Sequence, residues 1–228
     1  KEDLKSFFGV PDEKIEICHI PLSAHFERVR DEGILGSVRA KYRLPCRYIL
    51  NVSKIEPRKN IARLIEAYAA VRHRFDVKLV VAGRADAKFR RLYEGLKQLG
   101  GPEEVVFTGY VEGADLPAIY SMAEAFVYPS IHEGFGIPLL EAMACEVPIV
   151  TSNVSALPEI AGDAALLVDP FDTGSIAEAL ERLLGDPGLG EWLISRGRER
   201  VSRFTVRGAA GKIVEIYKNL LSCSGSVD

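Results

Sequence analysis

Two patterns of hydrophobic and polar positions alternate along residues 48–184. Short apolar, β-branched runs are each followed by a longer segment whose apolar residues recur at helical spacing. Residues 48–53 (YILNVS) form the first run, and a predicted helix follows over residues 61–71. Further strands are predicted over residues 77–83, 105–109, 125–130, 147–152 and 164–169. Further helices are predicted over residues 89–99 (ended by Gly100 and Gly101), 114–122, 138–144 and 176–184, with two more up to about residue 221.

This alternation predicts the fold class. Continuous apolar strands separated by helices are typical of a parallel sheet covered by helices on both faces. Six such units predict an α/β domain with a doubly wound, six-stranded, Rossmann-like parallel sheet over residues 46–228. In such a sheet, ligands bind at the carboxyl ends of the strands.

Residues 1–45 do not fit this domain. Residues 5–8 resemble the end of a helix capped by Gly9, residues 14–20 (KIEICHI) predict a strand, and residues 21–45 are charged and loosely patterned. Two interpretations stay open. The segment is either an N-terminal extension packed on the main domain or the last piece of a preceding domain that is mostly absent, and we favour the second.

Composition narrows the class of protein. The 228 residues are 47% hydrophobic and 27% charged, which is ordinary for a globular protein and excludes disorder. A formal net charge of −3 does not indicate nucleic-acid binding. No apolar run approaches the roughly 18 residues of a membrane span, and the first residues lack the apolar run of a signal peptide. The four cysteines fit neither a zinc site nor a redox pair, so we expect reduced thiols and a cytoplasmic protein: Cys18, Cys46, Cys145 and Cys223.

The most informative segment is PSIHEGFGIPLLEAMACEVPIVTS, residues 129–152. Gly134 and Gly136 allow a tight turn after the fourth strand, and Pro138 suits the first turn of a helix. The N-terminus of that helix would present free N–H groups to an anion or a sugar hydroxyl. Glu133 and Glu141 are separated by seven residues and could hold opposite ends of one elongated ligand, because carboxylates accept hydrogen bonds from vicinal diols.

A second segment, KIEPRKN (residues 54–60), joins the first strand to the first helix. Lys54, Arg58 and Lys59 crowd this loop, which lies at the same edge of the predicted sheet as Glu133. Cations there would neutralise a diphosphate and stabilise the charge that grows on it as it departs. By itself the run also fits a solvated surface loop, and Glu141 by itself also fits a solvated helix position.

Together the two segments resemble a known family. The sequence Glu133-GFGIPLL-Glu141 is similar to the E-x7-E signature of retaining glycosyltransferases of the GT4 type (group 1), which have the GT-B fold. The resemblance covers about residues 46–220 and implies the C-terminal, donor-binding half of that architecture. Residues 10–26 resemble the last strand and linker of the family's acceptor domain. The other collinear motifs are VVAGR (80–84), VVFTGYV (105–111), YPSIHEGFG (128–136), LLEAMACEVPIVTS (139–152) and LPEIAGDAALLVDP (157–170).

The resemblance assigns the cations to the donor diphosphate. Lys59 matches the lysine that contacts the diphosphate, and we expect it to act in catalysis. Lys54 stands where the family usually has arginine, and Ser53 replaces the usual glycine. Arg58 precedes Lys59 as in a subgroup of mannosyl- and related transferases that share a PRKN run. Either Lys54 or Arg58 supplies the contact that the family's arginine makes, and Lys54 lacks the bidentate fork of arginine.

The resemblance assigns the carboxylates to the sugars. Glu133 matches the catalytic acid that binds the donor sugar, and Glu141 matches the acid that holds the ribose. The backbone around Phe135, Gly136 and Ile137 would cradle sugar and phosphate.

The loops after the second and third strands would border the nucleoside, through Gly83 and Arg84 and through Tyr110 and Val111. The resemblance further implies front-face transfer with retention and no metal ion. It implies no cofactor besides the GDP-, UDP- or ADP-linked sugar, with mannose or glucose favoured. The acceptor, a sugar or lipid-linked molecule, would be held by the missing N-terminal domain.

Two alternative functions and three minor features stay open. A starch- or glycogen-synthase-like enzyme shares this architecture, and a catalytically silent nucleotide-sugar-binding module would carry the same pocket. A basic run between residues 196 and 207 allows a peripheral contact with the inner membrane face, although a solvated helix face is favoured. His132 is a further candidate sugar contact, and Trp192 is expected in the core.

Overall fold

A computed structural model describes residues 1–100 and 104–224 of the chain. The chain forms two compact units. One comprises Lys1–Ser23 together with the chain from Ser202 onward, and the other comprises Ala24–Val201. The boundary predicted between residues 45 and 46 does not coincide with this division, and the origin of residues 1–45 as part of a preceding domain stays a prediction.

The larger unit contains a six-stranded sheet in which every neighbouring pair of strands is parallel. The strand order is β3-β2-β1-β4-β5-β6, so the order along the sheet reverses between β1 and β4. The predicted doubly wound parallel sheet is therefore confirmed. The strands are β1 Tyr48–Val52, β2 Lys78–Ala82, β3 Val105–Gly109, β4 Ala125–Tyr128, β5 Ile149–Ser152 and β6 Ala165–Val168.

The predicted helices are confirmed, with ends that differ by a few residues. The end predicted at Gly101 lies outside the described residues. Gly9 has φ 62° and caps the first helix, as expected. The helices are α1 Glu2–Phe8, α2 Glu32–Tyr42, α3 Ile61–Val71, α4 Arg90–Gly100, α5 Leu116–Ser121, α6 Ile137–Ala144, α7 Leu157–Ala161, α8 Thr173–Gly185, α9 Pro187–Val201 and α10 Val206–Ser224.

The core lies between the sheet and the helices that cover it. Ile49 of β1 belongs to one apolar cluster with Leu64 of α3 and Leu180 of α8, and all three are fully buried. Burial of such side chains contributes about 1.5–3 kcal/mol each. Phe126 of β4 instead contacts the ring of Tyr120 in α5. Because strand side chains alternate between the two faces of the sheet, the buried runs of β1, β2, β4 and β5 place apolar side chains on both faces.

The strand predicted over residues 14–20 is wrong. Asp12–Lys14 forms a short 3-10 helix, and residues 15–20 have no regular structure. A strand needs a neighbour to pair its backbone groups. In the unit that contains these residues, the described part of the chain forms helices and loops only.

Helix α2 was not predicted from the loose pattern of residues 21–45. The helix begins because Asp31 accepts hydrogen bonds from the N–H groups of Gly33 and Ile34, at 2.8 and 3.1 Å. It ends at Arg43, which has φ 53°. Val38 is the one residue of α2 that is buried, so the apolar periodicity is weak.

Several side chains bear on the remaining expectations. Trp192 is 52% exposed, so its expected place in the core is wrong.

Cys18, Cys46 and Cys145 are free thiols, of which Cys145 is buried. Burial raises the pKa of the Cys145 thiol to about 12. Among the described residues, no helix combines the length and the apolar character needed to cross a membrane.

Three arginines of the basic run lie on α9 and form ion pairs or hydrogen bonds with other residues of the chain. Arg196 pairs with Asp163, Arg198 pairs with Glu146 at 2.9 Å, and Arg200 donates to the carbonyl of Ile160 at 3.0 Å. A contact of this run with a membrane stays a prediction.

Candidate active site

The site lies where the strand order reverses, at the carboxyl ends of β1 and β4. The loop after β1 and the loop after β4 are joined there by hydrogen bonds to one carbonyl. The carbonyl of Arg58 accepts from the N–H of Ile131 at 2.8 Å and from the hydroxyl of Ser130 at 3.0 Å. The cationic and the carboxylate segments of the sequence therefore share one edge of the sheet, as the parallel topology requires.

A third loop approaches the first at Gly83, directly after β2. Gly83 has φ 150°, and a Cβ atom there would lie 1.9 Å from the carbonyl oxygen of Ser53. Glycine is required at this position because any side chain would overlap the neighbouring backbone. This close approach brings the loop that carries Arg84 beside the loop that carries Lys54.

These three loops, the segment after β3 and the start of α6 line an open cavity of about 580 Å³. With the exception of His132, the site residues predicted from the sequence line it: Lys54, Arg58, Lys59, Gly83, Arg84, Tyr110, Val111, Glu133, Phe135, Gly136, Ile137 and Glu141. The rest of the lining is Val52, Ser53, Ala82, Leu116, Tyr128 and Pro138. The structure thus brings the predicted residues together, while their individual roles stay predictions.

Glu133 is the centre of the polar network in this cavity. Its Oε1 accepts hydrogen bonds from the ammonium of Lys59, from the hydroxyl of Ser130 at 2.6 Å and from the hydroxyl of Tyr128 at 2.9 Å. Its Oε2 accepts from the guanidinium of Arg58 at 3.0 Å. The backbone N–H of Glu133 donates to the hydroxyl of Ser155 at 3.0 Å. These contacts fix both ends of the residue.

The two cations that contact Glu133, namely Lys59 and Arg58, differ in burial. Lys59 is 7% exposed, and its ammonium also donates to the hydroxyl of Tyr128 at 2.6 Å. Arg58 is exposed and further donates to Glu56 and to the carbonyl of His132. His132 itself does not line the cavity. Lys59 is therefore a fixed charge, whereas Arg58 can exchange partners at little cost in buried surface.

The electrostatics favour the charged form of Glu133. Burial raises the pKa of this carboxyl, but the donors Lys59, Ser130 and Tyr128 outweigh it, so the pKa lies below its ordinary value. Burial lowers the pKa of Lys59, and Glu133 opposes that shift. Removing Glu133 would leave the buried ammonium of Lys59 without its ion-pair partner, whereas Glu133 would keep Arg58 if Lys59 were removed.

Lys54 and Arg84 are exposed cations of the cavity that do not contact Glu133. Within the described chain, Lys54 forms no ion pair, and its side chain is exposed. The guanidinium of Arg84 lies 5.5 Å from the ring centroid of Tyr110. A planar cation beside an aromatic ring at a cavity edge could stack on a planar ligand group.

Helix α6 begins at the floor of the cavity. Gly136 precedes it with φ 106°, and a Cβ atom there would lie 2.8 Å from Cδ2 of Leu157. Pro138 occupies the first turn, as predicted. Glu141, one turn on, accepts a hydrogen bond on Oε2 from the hydroxyl of Tyr120 at 2.8 Å. Burial raises the pKa of Glu141, and this hydrogen bond opposes the shift.

Four residues that organise the site were not predicted from the sequence. Tyr120, Tyr128 and Ser130 bind the two carboxylates directly. Asn60, at the start of α3, has φ 59° and donates to the carbonyls of Pro129 and Pro170 at 3.0 and 2.6 Å. The available signal was positional, because Tyr128 directly precedes Pro129 in the strand predicted over residues 125–130 and Asn60 ends the predicted cationic loop.

Within residues 1–100 and 104–224, no group of three or more His, Cys, Asp or Glu side chains is placed to hold a metal ion. The cavity instead offers cations and single carboxylates. Such a set matches a ligand that carries both anionic groups and hydroxyls.

Comparison with known proteins gives a family and a fold. The sequence profile described as "Glycosyl transferases group 1" matches residues 40–200. The O-antigen chain mannosyltransferase B of Escherichia coli is 37% identical over 223 residues, which cover 96% of this chain and 58% of that protein. The chain thus spans somewhat more than half the length of this relative.

Two solved structures share the fold. Sucrose-phosphate synthase from Thermosynechococcus elongatus superposes with a TM-score of 0.82 at 28% identity, covering 97% of this chain and 56% of that one. The Anabaena protein HepE in complex with UDP and glucose gives a TM-score of 0.82 at 20% identity, covering 92% of this chain and 59% of that one. At 20% identity the second likeness shows the fold alone.

Proposed function

Because the chain belongs to the group 1 glycosyltransferases, a family of hexosyltransferases with the GT-B fold, we propose that it is the donor half of a retaining enzyme. It binds a nucleoside-diphosphate sugar, and the sugar passes to an acceptor held by the rest of the protein. The observation that supports this most is the single cavity that joins Lys59, Glu133 and Glu141 at the point where the strand order reverses.

The cations receive the diphosphate. Lys59 is buried, fixed and positive, and Arg58 shares its carboxylate partner. When a donor enters, its phosphate oxygens replace Oε2 of Glu133 as the partner of Arg58 and accept a further N–H of Lys59, while Oε1 of Glu133 keeps its donors. The freed Oε2 then accepts from the hydroxyls of the sugar. Lys54, without an ion pair among the described residues, adds charge at the exposed edge. Cations placed here stabilise the departing diphosphate.

The remaining residues orient the two sugars. Glu141 accepts hydrogen bonds from the ribose diol, and the backbone of Phe135, Gly136 and Ile137 supports the sugar and phosphates at the N-terminus of α6. The nucleoside is bordered by Gly83 and Arg84 on one loop and Val111 on another, a placement taken from the family resemblance and consistent with the lining of the cavity.

The chemistry is transfer with retention. The bond between C1 of the sugar and the diphosphate oxygen breaks through an oxocarbenium-like transition state, and the acceptor oxygen bonds to C1 on the same face. The acceptor proton passes to an oxygen of the departing diphosphate, so the step balances without a further base. The proposal includes no metal ion and no other cofactor.

The sugar is mannose or glucose, linked to GDP, UDP or ADP. Mannose is favoured because the E. coli relative at 37% identity is named a mannosyltransferase. The acceptor is a sugar or a lipid-linked molecule. The proposal places the protein in the cytoplasm, with a peripheral contact at the inner membrane face, and assigns it no nucleic-acid partner.

Calorimetric titration and thermal shift with ADP, GDP, UDP and their mannose and glucose derivatives test donor binding. Lys59→Met should weaken binding of the preferred nucleoside diphosphate by about 1.5–3 kcal/mol, because a charge-assisted contact is lost, and should leave the nucleoside unaffected.

The matched control is Lys78→Met, since Lys78 pairs with Glu104 at 3.2 Å outside the cavity. Equal effects of the two substitutions, or no binding by the wild type, would contradict the proposal. Binding without turnover, even in the full-length enzyme, would instead identify a catalytically silent nucleotide-sugar-binding module. Preference for ADP-glucose and a glucan acceptor would identify a starch- or glycogen-synthase-like enzyme.

A further inference from the structure

Two buried tyrosines stand behind the two glutamates of the cavity. Tyr120 of α5 and Tyr128 of β4 are at most 1% exposed. The hydroxyl of Tyr120 donates to Oε2 of Glu141 at 2.8 Å, and that of Tyr128 donates to Oε1 of Glu133 at 2.9 Å. Each carboxylate thus has one oxygen bound to its own tyrosine.

We propose that Tyr120 and Tyr128 are positioning residues, each of which fixes one oxygen of a glutamate so that the second oxygen is directed to the donor. The inference rests on the proposed function of Glu133 and Glu141. Among the described residues, Oε1 of Glu141 accepts no hydrogen bond, and Oε2 of Glu133 accepts one, from the exposed Arg58. One oxygen of each carboxylate is therefore free or readily freed.

The tyrosine rings are themselves held in place. Phe126 lies between them, with its ring centroid 5.3 Å from that of Tyr120 and 5.6 Å from that of Tyr128. All three side chains are buried in the core, where packing restricts their rotamers. A hydroxyl on a fixed ring gives its carboxylate a fixed direction, which a solvated carboxylate lacks.

The two tyrosines do not contribute equally. Glu133 keeps Lys59 and Ser130 as donors to the same oxygen if Tyr128 loses its hydroxyl. Glu141 has Tyr120 as its one hydrogen-bond donor among the described residues. Removal of the Tyr120 hydroxyl should therefore have the larger effect on its carboxylate.

The titratable groups that influence Glu141 are few. Tyr120 approaches it from α5, Tyr128 from β4, and Cys145 lies one turn further along the chain. The tyrosine and cysteine groups stay protonated at neutral pH because burial raises the pKa of each. A change in the titration of Glu141 between pH 4 and 8 can then be assigned to the lost hydroxyl.

The variants are Tyr120→Phe and Tyr128→Phe, which remove one oxygen and keep the ring. The matched control is Tyr68→Phe. Tyr68 is buried, and its hydroxyl donates to the carbonyl of Val77 at 3.0 Å and to Glu104 at 3.2 Å, outside the cavity. All three variants lose a buried hydroxyl that binds a carboxylate.

The first measurement needs no ligand. Carboxyl ¹³C NMR of the free 228-residue chain follows Glu141 and Glu133 from pH 3 to 9. Tyr120→Phe should move the titration of Glu141 to higher pH and leave Glu133 unchanged, because the hydrogen bond stabilises the ionised form. Tyr128→Phe should move Glu133 in the same direction by less. Tyr68→Phe should move neither. An unchanged Glu141 titration in Tyr120→Phe overturns the proposal.

The second measurement is binding of UDP, GDP and ADP and of their mannose derivatives. Tyr120→Phe should raise the Kd of the preferred nucleoside diphosphate about tenfold, and the loss should grow as the pH falls. Tyr128→Phe should raise the Kd of the sugar nucleotide about threefold and spare the bare nucleotide. Wild-type affinity in Tyr120→Phe for all ligands overturns the proposal. Shifted titrations in a chain that binds no nucleotide uphold the positioning contacts and contradict the proposed function instead.

Discussion

At the scale of single residues, the two glutamates of the cavity have opposite effects on stability. Burial raises the pKa of Glu133, but hydrogen bonds from Lys59 and Ser130 stabilise its carboxylate and bring the pKa below its ordinary value. Burial raises the pKa of Glu141, and Tyr120 only partly opposes this. Ionised Glu133 therefore stabilises the folded state, whereas ionised Glu141 destabilises it.

The signs give a testable pH dependence. The stability from Glu133 is present above its unfolded-state pKa, near the ordinary value of 4.5, and is lost as pH falls through its lower folded-state pKa. The cost of ionising Glu141 is absent below 4.5 and grows as pH rises to its higher folded-state pKa. Urea unfolding from pH 3 to 8 gives the free energy of unfolding at each pH. In Glu133→Gln this free energy should rise less steeply with pH at the acid end, and in Glu141→Gln it should fall less steeply above pH 4.5.

A difference of one bound proton between the folded and unfolded states changes the free energy of unfolding by at most about 1.4 kcal/mol per pH unit. Glu104→Gln is a same-sign reference outside the cavity, because the hydrogen bond from Lys78 lowers the pKa of Glu104, so this variant should lower the slope at the acid end as Glu133→Gln does. The same change of slope in both cavity variants would contradict the opposite signs.

The site residues that could be predicted from the sequence are those that belong to a recognisable motif. Glu133, Glu141 and Lys59 stand out because charged residues follow predicted strands at defined spacing. Tyr120 and Tyr128 do not stand out, because a tyrosine in an apolar run has the pattern of any core residue. Their hydroxyl contacts depend on distances between separate elements, which spacing along the chain does not encode.

At the scale of elements, the loops after β1 and β2 are locked together at Gly83. Gly83→Ala should destabilise the protein by about 3 kcal/mol, because the new Cβ would overlap the carbonyl of Ser53 and the backbone has positive φ. Donor affinity should fall as well, since both loops line the cavity. The measurements are urea unfolding and nucleotide titration.

The control for this prediction is Gly95→Ala in α4, where a Cβ would meet nothing within 4 Å. It should be neutral or slightly stabilising, because alanine favours a helix more than glycine by about 1 kcal/mol. A tolerated alanine at position 83 would mean that the two loops separate easily.

The order of elements was predictable because the four inner strands of the sheet are almost wholly buried and therefore carry largely apolar runs. Helix α2 was not, because one buried residue, Val38, leaves almost no periodic signal. The strand predicted at residues 14–20 failed for the reverse reason. The alternation of apolar and polar residues is a local property of the sequence, while a strand also needs a neighbouring strand to pair its backbone groups.

At the scale of the whole molecule, the proposed function uses the cavity for the donor and leaves the acceptor to other residues. The chain spans 58% of the E. coli relative. We expect the 228 residues alone to bind a sugar nucleotide weakly and at most to hydrolyse it slowly. Orientation of two reactants supplies several kcal/mol of the lowering of the barrier, so transfer should need the rest of the protein.

The assay compares donor turnover by the isolated chain with that by a full-length enzyme, in the presence of mixed sugar and lipid acceptors. Glu133→Gln in the full-length enzyme is the control for turnover at this cavity. Robust transfer by the isolated chain would require an acceptor site among its own residues and would contradict the expectation.

The buried thiol of Cys145 has a consequence for how the cavity can be observed. Cys145 directly follows α6, which carries Glu141, and its high pKa keeps it as an unreactive thiol at neutral pH. Alkylation in the native state therefore requires α6 to open, while the exposed Cys18 and Cys46 react at once and serve as internal references. Mass spectrometry of each cysteine peptide should show that the preferred nucleotide, at 100 times its Kd, slows labelling of Cys145 by about a hundredfold if opening abolishes binding. The rate of this one modification then reports how often the unaltered chain opens the element that supports its cavity.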